Sequence, residues 1–491
     1  MIRSRFVNLT AAGGALACLF LLPGELVAQK KKTELPITTS SKEALALFQQ
    51  ARDKVDNAEI EAATPLLDQA IQKDPNFAMA YAYRAFSGGG FSVFRQNLDK
   101  AVSLADKASP GEKTWILTLQ AQTDGNTVKF KENIDELVKL YPQDKRVQTL
   151  AGTYYGNVEA DLKTALEHFE KATVIDKGFA AAYNQVGYAQ FRMGNYRAAE
   201  EAFKQYITLR PANPNPYDSY AELLLKTGRY DESIAQYQKA VEKDPGFVGA
   251  LAGIGHNHIF KGDYAAARES YQRQFDQAPN INGKLGAMFW KTVSYVHEGN
   301  TDEALKNLDQ ARALAEKEDQ VPALINTRIQ AAFILAETGN LGKSIKHLEK
   351  ATHALDQSSL PAPTKDALRL NIMEGRGYVL KAVHEFDAAR ALAEKCRAIV
   401  ETRKNANEER DLHTLLAQIA LEEGKYDEAL EHFGKADQED PYNWFYKALT
   451  LERKGDKAAA SALYAKVAGW NQNSLDYALV RSRSLKQTAS R

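Results

Sequence analysis

A repeat with a fixed period is the feature of this sequence that most limits its fold. Gly194, Gly228 and Gly262 are evenly spaced along the chain. The same spacing separates the small residue, the aromatic residue and the proline that follow each glycine: Ala199, Ser233 and Ala267, then Phe203, Tyr237 and Tyr271, then Pro211, Pro245 and Pro279. Because such a unit buries its apolar face only against its neighbours, the period predicts a stacked array rather than one central core.

The residue types in this pattern are typical of paired antiparallel helices. Small residues let two helices approach closely, and aromatic rings fill the space between them. A glycine can end the first helix in a left-handed conformation, and a proline prevents the second helix from continuing. The pattern continues in looser form in both directions, which predicts helix pairs along nearly the whole chain from residue 42 onward.

These offsets resemble the tetratricopeptide repeat, a helix–turn–helix unit of about 34 residues. If Ala180 is the first position of one unit, Tyr183 fills the large aromatic position and Gly187 a small position, with Gly194, Ala199 and Phe203 following. The resemblance implies an all-α fold, a right-handed α-solenoid, and counting the repeats along the chain gives about twelve such helix pairs. The signal-like N-terminus, with an Ala-Gln junction at residues 28–29, suggests the exported bacterial type. A last helix near residues 474–486 is expected to cap the open end.

The spacing of the small residues predicts a division of the array. These residues are evenly spaced from Ala165 to Ala267, whereas those that follow are farther apart, at Ala304, Ser344, Ala389 and Ala429. We therefore expect an N-terminal array over 42–318 and a C-terminal array of longer, degenerate repeats over 325–487, followed by a tail at 488–491. Longer helices or loops alter superhelical pitch, so a bend or division is expected near 318–324.

The N-terminus has the pattern of a secretory signal. Arg3 and Arg5 precede an apolar stretch over 6–22, and Ala28 supplies a small residue for cleavage. We expect a signal peptide over 1–28, cleaved near Ala28, and export to the periplasm or cell envelope. An uncleaved anchor and a lipoprotein signal ending at Cys18 are the alternatives, and membrane association is expected only in those cases. Residues 29–41 are expected to form a disordered tether.

Charge and motifs exclude several classes of function. The formal net charge is zero, which gives no basis for nucleic-acid binding. No metalloprotease, phosphate-binding, dinucleotide-binding or serine-hydrolase motif occurs, so the sequence predicts neither an enzyme nor a metal or cofactor. His256 and His258 are two residues apart and would point to different faces of a helix. Oligomeric state is not predicted.

In the family that this chain resembles, the first helix of each pair lines a concave groove. Applying the family's inward-facing positions to the repeats from Ala180 onward predicts eleven groove residues. They are Asn184, Tyr188, Arg192, Asn215, Asp218, Glu222, Lys226, His256, Phe260, Phe289 and His297. Their amide, carboxylate and aromatic groups are suited to an extended peptide. Chaperone-binding members clamp a C-terminal carboxylate with cations. The corresponding positions here include Ser219, Gly249 and Gly253, so that clamp is not expected.

The resulting prediction is an exported scaffold that binds protein or peptide partners non-covalently, in the assembly or organisation of envelope complexes. One alternative is an accessory protein that binds carbohydrate or cell-wall glycan through Trp290, Trp444 and Trp470, although Trp444 occupies a core position of its repeat. Another alternative is an enzyme that uses Asp218 and Glu222, which are four residues apart on one helix face.

Overall fold

The structure is a computed structural model that describes residues 34–88, 90–124, 126–403 and 405–489. The predicted signal peptide therefore lies outside the described residues. Within them, all regular secondary structure is helical, as predicted: 25 α-helices and one short 3₁₀ turn at Ala105–Lys107. None of these helices is both long and apolar enough to span a membrane.

The helices of the first part of the chain are mostly 13 to 15 residues long. They are α1 (Lys42–Asp56), α2 (Ile60–Lys73), α3 (Ala78–Ala85), α4 (Gly90–Leu104), α5 (Pro110–Thr123), α6 (Thr127–Leu140), α7 (Lys145–Asn157), α8 (Leu162–Ile175), α9 (Ala180–Arg192), α10 (Tyr196–Leu209) and α11 (Asn215–Lys226).

The helices that follow become longer after α14, up to 21 residues in α19. They are α12 (Tyr230–Lys243), α13 (Gly249–Lys261), α14 (Tyr264–Gln277), α15 (Ile281–Glu298), α16 (Thr301–Lys317), α17 (Val321–Glu337), α18 (Leu341–Gln357), α19 (Ala362–Ala382), α20 (Phe386–Arg403), α21 (Ala406–Glu422), α22 (Tyr426–Lys435), α23 (Pro441–Lys454), α24 (Lys457–Ala468) and α25 (Leu475–Ala489).

In chain order, the described helices α1 to α24 make twelve successive helix–turn–helix units, in which an odd-numbered helix is the first member and the next helix the second. The predicted α-solenoid of about twelve helix pairs is thus confirmed. The stretched spacing in the second half of the sequence corresponds to longer helices, because α15 to α21 each contain 17 to 21 residues.

Close contact between a glycine and a ring explains how the two helices of a pair approach. The Phe203 ring lies against Gly187, where an added Cβ would stand 2.5 Å from it. Tyr271 covers Gly255 in the same way, at 2.3 Å. A side chain at either glycine would push the ring and its helix outward. These positions therefore need glycine for space rather than for backbone freedom.

Left-handed residues end the first helices, as the sequence predicts. Gly194, with φ of +80°, follows the last turn of α9 and its amide bonds to the carbonyl of Phe191. The corresponding position after α1 is Ala58, with φ of +61°. A residue with a Cβ is strained in the left-handed conformation. Because Ala58 adopts it nonetheless, the turn between the two helices requires this conformation even where no glycine is present.

Two compact units divide the described chain. Leu223 ends the first and Leu224 begins the second, within α11; we call them the N-terminal unit and the C-terminal unit. This division lies well before the boundary expected from the repeat spacing. The change of curvature expected near 318–324 remains a prediction. Helix α25 extends to Ala489, so residues 488 and 489 belong to it and not to a tail.

The N-terminal segment corrects one expectation. Residues 34–41 were assigned to a disordered tether, yet they lie along the N-terminal unit. The Leu35 amide donates to Asp144 at 2.8 Å, the Thr38 amide to Glu112 at 2.7 Å, and the Thr39 hydroxyl to Asp74 at 2.6 Å. Composition suggested disorder, but three carboxylates from different helix pairs satisfy this backbone.

Helix α25 packs against α24, but also against α15 and α23, which are first members of their pairs. Its apolar residues Leu475 and Ala478 are buried in a cluster with Val293 of α15 and Ile334 of α17. The predicted last helix is therefore present, and it covers first helices of the C-terminal unit as well as the end of the array.

Candidate functional site

Tyr188 connects two first helices of the N-terminal unit. We call the side of a unit that its first helices form the inner face of that unit. From α9, the Tyr188 hydroxyl lies 2.9 Å from a carboxylate oxygen of Glu222 and 3.2 Å from the Ser219 hydroxyl, both on α11. The Tyr188 ring also packs edge-on against Phe203 at 5.2 Å. Of the predicted groove residues, Tyr188 and Glu222 are therefore brought together directly.

Asp218 and Glu222 share one face of α11, as the sequence predicts. Burial raises the pKa of both carboxyls, and at Asp218 the charge of Glu222 raises it further. Two like charges so close together favour the form in which the pair holds a proton. The Tyr188 hydroxyl donates to Glu222 and opposes the rise in the pKa of that carboxyl.

The other predicted residues of this unit have separate partners. Arg192 donates to Asn157 and to the carbonyl of Gly156 at the end of α7, at 3.1 and 3.0 Å. Asn215 donates to the Tyr206 hydroxyl at 3.1 Å. The Asn184 side-chain oxygen is buried and accepts no hydrogen bond from the described residues.

Four of the five predicted groove residues of the C-terminal unit contact the chain's own C-terminal segment, residues 470–489. The Lys226 ammonium lies 3.2 Å from the ring centre of Trp470, and burial lowers the pKa of Lys226 to about 8. Phe260 packs against Tyr477 of α25, with ring centres 6.2 Å apart. These residues therefore face an occupied surface rather than an open groove.

His256 and His297 meet at one side chain of this segment, Asn473. His297 Nε2 lies 2.9 Å from the Asn473 oxygen and therefore donates to it. His256 Nδ1 accepts, since the Tyr271 hydroxyl and the Asn473 nitrogen approach it at 2.9 and 3.1 Å. Burial lowers the pKa of both histidines to about 3, so both are neutral. Phe289 packs beside Trp290 at 4.9 Å.

A pocket of about 290 Å³ opens on the N-terminal unit. We call it the N-terminal pocket. Its walls come from α1, α3, α5, α7 and α9, with the α3–α4 turn and the residue before α9: Val55, Asp56, Ala82, Tyr83, Phe86, Trp115, Leu119, Arg146, Thr149, Leu150, Thr153, Phe179, Ala181 and Gln185. The rings of Tyr83 and Trp115 are nearly parallel, at 10°, with centres 6.5 Å apart. Phe86 is 45% exposed at the pocket.

One ion pair forms the polar wall of this pocket. Arg146 Nε donates to Asp56 at 2.8 Å, and its Nη2 lies 3.0 Å from Asp53. The guanidinium also lies over the Phe179 ring at 5.5 Å. Burial raises the pKa of Asp56, and the opposite charge of Arg146 lowers it. Because the charges are paired within the wall, the pocket offers mainly apolar and aromatic surface.

The groove prediction missed this pocket because it was restricted to the regular block beginning at Ala180. The signal was nonetheless present, since Ala181 occupies position two of that block and lines the pocket. Extending the same phase upstream selects Leu150 of α7, which lines it too. Tyr83 and Asp56 could not be placed this way, because their units are too degenerate for the phase to be assigned.

The tryptophans of the carbohydrate alternative are engaged within the protein. Trp444 is buried and packs edge-on against Trp470 at 5.2 Å. Trp290 is half-buried against His256, with ring centres 4.4 Å apart. A sugar needs an open ring face, which Trp444 does not offer. In the parts of the chain that the structure describes, no group of three or more His, Cys, Asp or Glu side chains is arranged to hold a metal ion.

A family model of the tetratricopeptide repeat matches residues 160–247, and another model of the same repeat matches residues 411–443. The chain therefore contains tetratricopeptide repeats, and both segments fall where the sequence pattern is strongest.

Relatives match over part of their length. Anaphase-promoting complex subunit 3 of Schizosaccharomyces pombe is 24% identical over 223 residues, which are 43% of this chain and 32% of that protein. Hsp70-Hsp90 organizing protein 2 of Arabidopsis thaliana is 24% identical over 243 residues, 47% of this chain and 41% of that protein. The chain thus spans less than half the length of these relatives.

Among solved structures, a tetratricopeptide repeat protein from Parabacteroides merdae has a similar fold. The match covers 56% of this chain and 98% of that protein. Its sequence identity is 17% and its TM-score 0.37.

Proposed function

We propose that this chain is a non-catalytic scaffold that holds an extended segment of a protein partner on the inner face of its N-terminal unit. The observation that carries the proposal is the N-terminal pocket. Pockets that bind ligands are concave and mostly apolar, with a few polar groups that fix orientation. This pocket has four aromatic residues in its walls and one neutralised ion pair.

The chemistry of the pocket suits a neutral, apolar side chain of the partner. Aromatic walls gain from covering apolar surface, at about 25 cal/mol per Å². A charged group of the partner would need an opposite charge from the pocket, and this would break the Asp56–Arg146 ion pair. Breaking that pair costs more free energy than the new ion pair would supply.

The relatives support a protein as partner. One is a subunit of the anaphase-promoting complex and another an Hsp70–Hsp90 organizing protein. Both names describe work with other proteins, and neither describes a chemical reaction. We extend that kind of role, rather than their particular partners, to this chain.

The proposed place of action is the cell envelope. The charged, apolar and small-residue pattern of residues 1–28 supports export. N-terminal sequencing of the protein recovered from its native cells should begin at Gln29. A chain that retains Met1 and fractionates with the cytosol would contradict export without bearing on the pocket.

Phe86 provides the direct test of the pocket, because it is exposed at the pocket and its replacement leaves the core intact. Partners are cross-linked in native cells and quantified by mass spectrometry for the wild type, Phe86→Ala and Val174→Ala. Val174 is also an exposed apolar residue, at 76%, on α8. We expect Phe86→Ala to weaken capture of the partner roughly tenfold, about 1.4 kcal/mol. Val174→Ala should behave as wild type, and equal capture by all three proteins would refute the proposed site.

A further inference from the structure

Helix α25 occupies the inner face of the C-terminal unit in the way a bound helix would. Tyr477 packs between Phe260 of α13 and His297 of α15, with ring centres 6.2 and 5.9 Å away. One turn later, Arg481 lies over the Phe260 ring at 5.3 Å and approaches the Phe260 carbonyl at 3.4 Å. Tyr477 and Arg481 are four residues apart and thus lie on one helix face.

Farther along α25, Arg483 reaches two other helices. It forms a 3.1 Å ion pair with Glu337 at the end of α17. Its guanidinium also lies over the rings of Phe445 and Tyr446 of α23, at 4.3 and 5.6 Å. The hydroxyl of Tyr446 donates to Glu337 at 2.8 Å. Arg483 therefore enters an anionic, aromatic site already assembled by α17 and α23.

The residues that the segment 470–489 touches include several that the repeat pattern assigns to ligand contact. Four of them face the C-terminal segment: Lys226, His256, Phe260 and His297. Each lies on a first helix, at a position predicted without knowledge of where the C-terminus goes. The chain's own terminus thus stands where a partner would.

Charge on the two sides is complementary. Helix α25 carries Arg481, Arg483 and Lys486 but only one acidic residue, Asp476. The surface that it faces includes Glu337, whose side chain is 10% exposed. Asp411 and Asp440 also lie close enough to Asp476 for its charge to raise the pKa of both. A basic helix fits this surface, and Asp476 is its one unfavourable charge.

Helix α25 is itself an imperfect occupant. Arg481 Nε and Ser484 Oγ are buried and have no hydrogen-bond partner among the described residues. A buried polar atom without a partner weakens the docked state. Partial loss of hydration and the charge of Glu337 raise the pKa of Asp476, although this residue remains exposed and water moderates the repulsion. These defects lower the stability of the docked helix.

We propose that the inner face of the C-terminal unit is a binding site for a basic amphipathic helix of a partner protein, which binds there in exchange for α25. The recognised features are a tyrosine and an arginine four residues apart, followed by a second arginine. The site is distinct from the N-terminal pocket, and the proposal does not rest on the function assigned to that pocket. Until a partner binds, α25 keeps the surface covered.

A labelled peptide of residues 470–489 serves as the probe. Its binding to the full chain is measured by fluorescence anisotropy for the wild type, for the double variant Tyr477→Ala/Arg481→Ala and for Ser482→Ala. The double variant weakens only the tethered helix and leaves the inner face unchanged. We expect it to bind the peptide at least tenfold more tightly than the wild type does. Ser482 is exposed on α25, so Ser482→Ala should match the wild type.

Peptide variants test the recognition itself. The peptide with Asp476→Asn should bind the double variant more tightly than the native sequence, and the peptide with Tyr477→Ala/Arg481→Ala should not bind. Equal binding of all peptides, or no binding to the double variant, would overturn the proposal. A peptide-dependent dimer in light scattering would also overturn it, by showing exchange of α25 between copies.

A measurement on the wild type guards against misfolding of the double variant. Hydrogen exchange should show α25 opening at least tenfold more often than α23, because exchange requires its release. If the amides of α25 are protected as strongly as those of α23, the helix is a fixed part of the core and the proposal fails.

Discussion

The Nε2 atom of His297 lies 2.9 Å from the side-chain oxygen of Asn473, with both residues almost completely buried, at 7% and 8% exposed. The side-chain nitrogen of Asn473 also approaches His256. The side-chain amide of Asn473, just before α25, therefore contacts histidines on two first helices. Neither imidazole has a carboxylate partner to stabilise a positive charge. This small polar contact therefore depends on both rings remaining neutral.

Acidification is expected to loosen the attachment of α25. The folded pKa of each histidine, about 3, lies below the unfolded value of about 6.5. Their contribution is therefore complete above pH 6.5 and is lost as the pH falls toward 3. At pH 5 the loss is about 2 kcal/mol per histidine.

Hydrogen exchange of α25, corrected for the intrinsic rate at each pH, measures this effect. Protection should fall between pH 7.5 and pH 5 in the wild type. In His256→Gln/His297→Gln this loss should be absent. Protection should then rise as the pH falls, because the raised pKa values of Asp411, Asp440 and Asp476 let these carboxyls take up protons, which relieves their repulsion. His353→Gln, at an exposed position, should keep the wild-type dependence. The same pH dependence in the wild type and the double variant would contradict the neutral state assigned to these rings.

Adding a methyl group at Gly255 is expected to destabilise the C-terminal unit. The new Cβ would stand 2.3 Å from the Tyr271 ring, so the ring or its helix must move. Overpacking of this kind costs about 1–3 kcal/mol. At Gly286, in α15, an added Cβ meets no atom within 4 Å. There the same change should stabilise the helix by about 0.5–1 kcal/mol. Thermal unfolding of Gly255→Ala and Gly286→Ala should move in opposite directions.

Exchanging residues at two equivalent helix ends should also have opposite effects. Gly194 and Ala58 both have positive φ, at +80° and +61°, after the first helix of a pair. Gly194→Ala places a Cβ in a strained conformation and should cost about 1 kcal/mol. Ala58→Gly relieves that strain but makes the unfolded chain more flexible, so a gain of a few tenths of a kcal/mol is expected. Chemical denaturation would detect the difference in sign, and a loss of stability in Ala58→Gly would refute the argument.

The ordered N-terminal segment leads to a fourth prediction. Leu35 is buried with Tyr141 in the core of the N-terminal unit, beside Gly111. Leu35→Ala should lower the stability of that unit by about 2 kcal/mol. Glu34→Ala, at an exposed neighbour, should have no effect. Identical melting of both variants and the wild type would restore the view of this segment as a disordered tether.

Sequence reasoning succeeded where the contacts are local to one repeat. The match between Gly187 and Phe203 could be anticipated, because both residues belong to one helix pair and recur at a fixed offset. The N-terminal pocket could not, because Asp56, Tyr83 and Arg146 belong to three different pairs. The distances between these residues depend on the rotation of each helix pair relative to the one before it, added over several pairs. The sequence pattern of a single repeat does not specify that total rotation.

The sequence by itself determined that this chain builds helix pairs, that glycines such as Gly194 end first helices, and that small and aromatic residues pack between the two helices of a pair. Those features follow from backbone conformation and packing over a few helical turns. The tertiary structure decided that Leu35 is anchored, that aromatic residues of distant pairs enclose a pocket, and that α25 lies on a surface predicted to be open. Such outcomes require helices far apart in the chain to meet. The curvature that brings them together is set by the packing of every intervening pair.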